Sequence, residues 1–304
     1  MSKEIKISSM SDYINHICAM QKEYKATLQL PHYSFLFRGQ ESARYELLPS
    51  LARNRSSRVS YSILNEERNL LSMAQFQMPS IFHRNLSPIE TLALAQHYGI
   101  PTRLLDVTEN PLVALYFACV NRTDEDGEVV IFKAPDTDIC TFPVVQAIAD
   151  TCKFAFYDFV LLSDFYARAV EQDYFAEQRY DLKQCHSNNV EGGKWIEECC
   201  KNIFYIHAPI QTQRQRAQQG RYILFPNQIE NDIEENEGVF TMIINAIPKN
   251  HKDIVLRFII PKELKTELLS NLSMLGITKS SLFPDNTDIA CNEIAELFKN
   301  RYTI

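Results

Sequence analysis

Nine consecutive apolar residues, Leu112 to Val120, follow Pro111 and end at Asn121. The run has no polar stripe to turn toward water, so a helix built from it must be enclosed on all sides. It is about half the roughly 20 residues that a membrane span requires, as is the interrupted stretch 154–162. The enclosure has to come from the rest of the chain. Its 304 residues (35.2 kDa), 45% hydrophobic and 23% charged, suffice for one large globular domain or two small ones.

Local patterns supply the surrounding elements. Ile14, Ile17, Met20, Tyr24 and Leu28 recur at spacings of three and four and predict a helix over 12–28. The aromatic stretch 33–38 reads as a strand stopped at Gly39. Residues 61–78 read as a helix ending before Pro79. Ser87-Pro88-Ile89-Glu90 is a helix start, with Ser87 as cap, Pro88 at the first helical position and Glu90 completing a capping box. That helix stops at Gly99, with Pro101 just beyond. A short loop leads to Thr108, the expected cap of the buried 112–120 helix. A polar turn at 121–127, a strand at 128–133, a mostly helical stretch over 147–180 and a polar break at 186–193 follow. Strands are expected at 204–207, 222–225 and 254–260, with helices at 261–275 and 284–298. The acidic run 230–237 reads as a solvated loop. Helices and strands mix without repeating βαβ units, which predicts an α+β fold with mixed or antiparallel sheets.

Several function classes are disfavoured. Lys plus Arg is 31 against 38 for Asp plus Glu, a net charge of −7, which argues against a nucleic-acid coat protein while leaving room for local basic patches. The first residues, MSKEIKISSMSD, lack the apolar core of a secretory signal. Eight cysteines without a Cys-x-x-Cys pair suggest reduced thiols in a cytoplasmic protein and no metal site. With only 8 glycines, the chain has neither a dinucleotide-binding nor a P-loop fingerprint.

Two stretches concentrate polar groups at the ends of apolar elements. In Phe37-Arg38-Gly39-Gln40, an arginine at a strand end beside a residue without a side chain can lay its fork on a phosphate or carboxylate. The alternative is an arginine pinning a neighbouring carboxylate. Residues 94–111 bring Gln96, His97, Tyr98, Arg103, Asp106, Glu109 and Asn110 together around a helix end and the next helix start. Backbone N–H groups there favour an anion, and His97 has the ordinary pKa of an acid–base catalyst. The structural alternative has Asp106 capping the helix, Arg103 pairing with Asp106 and His97 satisfying a terminal carbonyl.

These stretches also carry a family resemblance. Phe37-Arg38-Gly39-Gln40, Leu48-Pro49-Ser50-Leu51, residues 95–106 (AQHYGIPTRLLD) and residues 110–118 (NPLVALYFA) occur in the order found in the FRG domain, a family of bacterial and phage proteins named for its Phe-Arg-Gly motif. The resemblance is densest over about 30–135. Residues 216–225 and 276–285 are also similar to the family, with a C-terminal completion over about 200–304. Together they imply a single domain over 1–304. Val107 stands where the family usually has Trp. The resemblance supplies motifs rather than a reaction.

Polar groups converging on apolar surroundings are the usual make-up of a small-ligand site. The expected ligand-binding residues are Arg38, Gly39, Gln40, Gln96, Tyr98, Arg103, Asn110 and Gln219, and the expected catalytic ones His97, Asp106 and Asp285. Arginines and amides suit a nucleotide-like or phosphate-bearing ligand. The sharpest version is an ADP-ribosyltransferase-like, NAD-consuming enzyme, because Phe37-Arg38-Gly39 is similar to the arginine strand of those enzymes and Glu235-Asn236-Glu237 supplies a Glu-x-Glu pair. Two other classes stand beside it. One is nucleic-acid binding or cleavage, through Arg53, Arg55 and Arg58, through Arg214, Arg216 and Arg221, or through Asp253 with Glu263-Leu264-Lys265. The other is a non-catalytic module whose surface binds a protein partner.

Overall fold

A computed structural model describes residues 3–27, 33–53, 63–121, 124–135, 142–154, 159–209, 212–232, 234 and 237–284. The strands are β1 (Lys3–Lys6), β2 (Tyr33–Gln40), β3 (Leu104–Thr108), β4 (Gly127–Pro135), β5 (Phe159–Leu161), β6 (Phe204–Ile206), β7 (Gly220–Leu224), β8 (Ile229–Asp232), β9 (Glu237–Thr241) and β10 (Ile254–Ile260). The helices are α1 (Met10–Thr27), α2 (Ser50–Arg53), α3 (Glu67–Gln77), α4 (Pro88–His97), α5 (Pro111–Cys119), α6 (Pro143–Ala149), α7 (Thr151–Phe154), α8 (Leu162–Ala169), α9 (Arg179–Cys185), α10 (Asn189–Cys200), α11 (Gln213–Ala217), α12 (Lys265–Met274) and α13 (Lys279–Leu282).

The fold is α+β. One sheet runs β1-β10-β4-β2-β3-β7-β6, with β1 parallel to β10 and the other neighbours antiparallel; β5-β9-β8 form a smaller antiparallel sheet. The C-terminal strands β7 and β10 are thus laid beside β3 and β4 in one sheet. Both faces of that sheet are covered. Val129 and Ile131 of β4 join a core with α5, α12 and α1, while Val130 and Phe132 join another with Leu36, Leu105 and Ile223. Burial on both faces is why these strands read as apolar runs without alternation.

The 112–120 run is α5, buried against β2 and β4 as its composition requires. Its approach to the sheet is close. A Cβ on Gly39 would lie 1.8 Å from the Ala114 carbonyl oxygen, and one on Gly127 would lie 2.2 Å from that of Ala118. The capping box at Ser87 and Glu90 forms as expected, and α4 ends at His97 just before Gly99, whose φ is +80°.

Five local expectations are corrected. The loop before Thr108 contains β3, in the middle of the sheet. Thr108 is the last residue of β3, and the α5 cap is Asn110, whose Oδ1 accepts from the backbone N–H of Leu112 at 2.9 Å and of Val113 at 3.4 Å. The break at 186–193 is largely the start of α10. Its Gly192-Gly193 pair lets α10 close on α8, since a Cβ on Gly192 would lie 2.2 Å from the Tyr166 ring. The 147–180 stretch is interrupted by β5, and the acidic run 230–237 contributes to the β8–β9 pairing. The expected helix at 284–298 lies, Pro284 apart, outside the described residues, as do Asp285, Arg55, Arg58 and Glu235. Among the described residues no helix is long and apolar enough to cross a membrane.

Candidate functional site

The centre of the large sheet is split. β2 pairs with β4 along its whole length and β3 with β7 along its whole length, but β2 and β3 pair only at Phe37 and Thr108. From that point toward Gln40 and Leu104 the two strands have no further pairing. A cavity of about 610 Å³ opens there, within the range of small-molecule sites. Phe37, Leu48, Val113, Phe117 and Val120 give it apolar wall, and the Phe-Arg-Gly-Gln motif runs along one side.

Arg38 spans the split. Its Nη1 donates to the main-chain carbonyl of Asp106 at 2.6 Å, and its Nε donates to Gln40 Oε1 at 3.3 Å. The Gln40 amide donates onward to Tyr45 O at 3.2 Å and to Glu128 Oε2 at 3.3 Å. Glu128 is fully buried and neutralised by Arg257 and Lys249, each with an oxygen–nitrogen distance of 2.7 Å. The carboxylate that ends this relay is therefore already spent on two other cations. Among the described residues no carboxylate forms an ion pair with Arg38. Burial lowers its pKa to about 10; the Asp106 charge opposes the shift and the like charge of Arg53 adds to it.

Asp106 faces Tyr222 across the β3–β7 pairing, and both line the cavity. Asp106 Oδ2 accepts from Gln96 Nε2 at 2.7 Å, and Gln96 Oε1 in turn accepts from the Thr102 hydroxyl at 2.7 Å. This sets the orientation of the Gln96 amide. The Tyr222 hydroxyl is raised above its ordinary pKa by burial and by the Asp106 charge. Arg53 and Arg214 complete the basic groups of the wall; Arg53 donates to Leu48 O at 3.0 Å, and Arg214 lies 4.6 Å from the centre of the Phe283 ring. Glu41, which directly follows the motif, and Glu46, five residues further on, add two carboxylates.

Of the residues singled out in the sequence, Arg38, Gly39, Gln40 and Asp106 line the cavity. Gln96 reaches it only through Asp106. His97 and Tyr98 are outside it; their rings contact each other edge to face, and Tyr98 also meets Phe82. Asn110 is occupied as the α5 cap. Gln219 is exposed with φ +47° and holds the turn between α11 and β7, its carbonyl accepting from Glu109 N–H at 3.0 Å; its neighbours Gln218 and Gly220 line the wall instead. Arg103 belongs to the interior. It is 1% exposed, its Nη2 and Nε meet the carboxylate of Glu67, and its Nη1 donates to Phe225 O at 3.2 Å and Asn227 Oδ1 at 2.9 Å. Its partner is thus Glu67, not Asp106.

The other constellations fall elsewhere. Glu237 accepts from the Ser163 hydroxyl at 2.7 Å and is not part of the cavity wall. Arg221 pairs with Glu109. Lys265 is buried and donates to the Glu41 carbonyl at 2.7 Å, while Asp253 accepts from the Tyr205 hydroxyl at 3.3 Å. Tyr222, Glu41 and Glu46 were not singled out; the cue for Glu41 was its position directly after the motif.

A family model, the FRG domain, matches residues 33–127. That segment, about a third of the chain, is similar to the FRG domain. The matched segment holds β2, β3, α4 and α5, and so the Arg38 wall, the split and the Asp106–Gln96 pair, while Tyr222, Arg214 and the rest of the opposite wall come from outside it. No curated protein and no solved structure matches the chain.

Proposed function

We propose that the protein binds a small phosphate-bearing, nucleotide-like ligand in the split between β2 and β3, with the Arg38 guanidinium as its anion anchor. One observation carries this reading: a guanidinium enclosed enough to have its pKa lowered stands in the wall of a 610 Å³ cavity without an ion-paired carboxylate among the described residues. An arginine kept only for the fold is normally given its counter-charge, because a buried charge without one is costly. An incoming phosphate would supply it, in the bidentate geometry that the fork favours.

The apolar wall around Phe37 and Phe117 offers a face for a base or other flat group. An NAD-consuming transferase would be a further step. Glu237 does not line the cavity, so the electrostatic role of a glutamate would fall to Glu41, Glu46 or Asp106. The test is a thermal-shift comparison of wild type and Arg38→Gln with inorganic phosphate, NAD, ADP-ribose and a short single-stranded RNA. A ligand at 100 times its Kd should stabilise by about 2.7 kcal/mol. Stabilisation by the small phosphates that disappears in Arg38→Gln supports the site, and release of nicotinamide from NAD supports the transferase. Stabilisation by RNA alone, retained in Arg38→Gln, removes the reading in favour of a basic-patch surface.

A further inference from the structure

The cavity that could take an anion is not a strongly positive one. Among the described residues, Arg38, Arg53 and Arg214 share its wall with Glu41, Glu46 and Asp106, three guanidinium groups against three carboxylates. A polyphosphate tail would bring several negative charges beside three described carboxylates, and at short range in a partly desolvated site like charges repel strongly. A single phosphoryl group can be served by Arg38 alone. The remainder of the ligand then meets acceptors rather than donors.

Asp106 is the best-placed of these acceptors. Its main-chain carbonyl is tied to Arg38 at 2.6 Å, which holds this point of β3 beside the guanidinium. One carboxylate oxygen, Oδ2, is held by Gln96 at 2.7 Å; the other, Oδ1, has no partner among the described residues. Gln96 is itself fixed by Thr102 and stands outside the cavity wall. Tyr222 lies directly across the strand pairing with its hydroxyl held protonated. A group beside Arg38 therefore finds an anion site, and the same cavity wall carries a carboxylate oxygen that no described residue holds.

We infer that the split is built for a ribose monophosphate rather than a polyphosphate, with the phosphoryl group on Arg38 and sugar hydroxyls on Asp106, and with Gln96 as the positioning residue that holds the Asp106 carboxylate. This rests on the anion reading of Arg38 given above and goes further by naming the ligand class. It also separates the roles of two residues in the same motif: Asp106 touches the ligand, whereas Gln96 acts only through Asp106.

The test is isothermal titration of inorganic phosphate, ribose 5-phosphate, AMP and ATP into wild type, Arg38→Gln, Asp106→Asn and Gln96→Ala. Asp106→Asn keeps an oxygen that can accept from Gln96, so the fold is retained while the charge is lost. The wild type should bind ribose 5-phosphate about tenfold or more tighter than phosphate, the size expected for hydrogen bonds to a charged group. AMP should bind tighter than ATP. Asp106→Asn should bring ribose 5-phosphate to the level of phosphate and leave phosphate itself within about twofold or tighter. Gln96→Ala should erode the same preference with phosphate unaffected, which a merely structural role would not do. Phosphate that fails to bind, or binds Arg38→Gln as well as wild type, overturns the anion reading and this inference with it. Phosphate binding that depends on Arg38, together with ATP tighter than AMP or a sugar preference that survives Asp106→Asn, leaves the anion reading standing and overturns the inference.

Discussion

Arg38 and Arg103 belong to the same matched segment, yet they have opposite electrostatic fates. Arg103 sits in the interior, where burial would lower its pKa, but the charge and hydrogen bonds of Glu67 outweigh that cost and hold it above its ordinary value. Phe225 and Asn227 use a further nitrogen, Nη1. Arg38 stands on the rim of a cavity, is bonded to a carbonyl and an amide, and has its pKa lowered. The difference teaches how to separate a structural arginine from a receptive one. The criterion is not the loss of water, which pushes both pKa values down, but whether the protein itself supplies the counter-charge.

The largest effect should come from breaking the compensated arginine. Arg103→Ala is expected to cost about 3–5 kcal/mol, because it strands the Glu67 carboxylate in the interior. A double change, Arg103→Met with Glu67→Leu, should recover much of that loss, and urea melts of the set measure both. Next comes Gly39→Ala, whose new Cβ would run into the Ala114 carbonyl and push α5 off the sheet. Overpacking against backbone should cost about 3 kcal/mol. A Gly39→Ala protein as stable as wild type would show that the glycine is present for a ligand and not for packing. Arg38→Gln sharpens the comparison from the other side. It removes the link to the Asp106 carbonyl, a loss of about 1 kcal/mol, and relieves a desolvated charge. Its melting temperature should stay within a few degrees of wild type while phosphate binding vanishes.

Two smaller effects complete the series. Asn110→Ala removes the α5 cap and should cost about 1 kcal/mol without changing phosphate affinity, since Asn110 does not line the cavity. The last is a pH dependence. The Arg38 pKa is lowered by burial but stays well above neutrality, so its charge, and with it phosphate affinity, should persist between pH 7.5 and pH 9. Titrations at those two pH values read this directly. Affinity lost over that range would place the anion on a group that titrates there.

Some of this was legible in the sequence and some was not, for physical reasons. The 112–120 run had to be enclosed, and the capping box at Ser87 depends only on neighbours three residues apart, so both could be read locally. β3 could not. Its five residues lie between Pro101 and Pro111 and look like a loop; only pairing with β7, more than a hundred residues later, makes them a strand. The Gly192-Gly193 pair looks like a break because its role, letting α10 meet α8, involves a partner that the local sequence does not display. For the site, Arg38, Gly39, Gln40 and Asp106 were found because they cluster in short motifs. Arg103 was assigned to the ligand because Glu67, 36 residues upstream, carries no local mark of being its partner. Tyr222 and Arg214 join the cavity only through the placing of β7 beside β3.

The most direct test of the central claim, that Arg38 is charged and waiting for an anion while Arg103 is not, is a titration of inorganic phosphate into wild type and Arg38→Gln followed by calorimetry, with the melting temperature of each protein recorded. The account predicts phosphate binding in wild type, none in Arg38→Gln, and melting temperatures within a few degrees. An Arg38→Gln protein that melts far below wild type, or that binds phosphate unchanged, would contradict it and place Arg38 beside Arg103 as a structural residue.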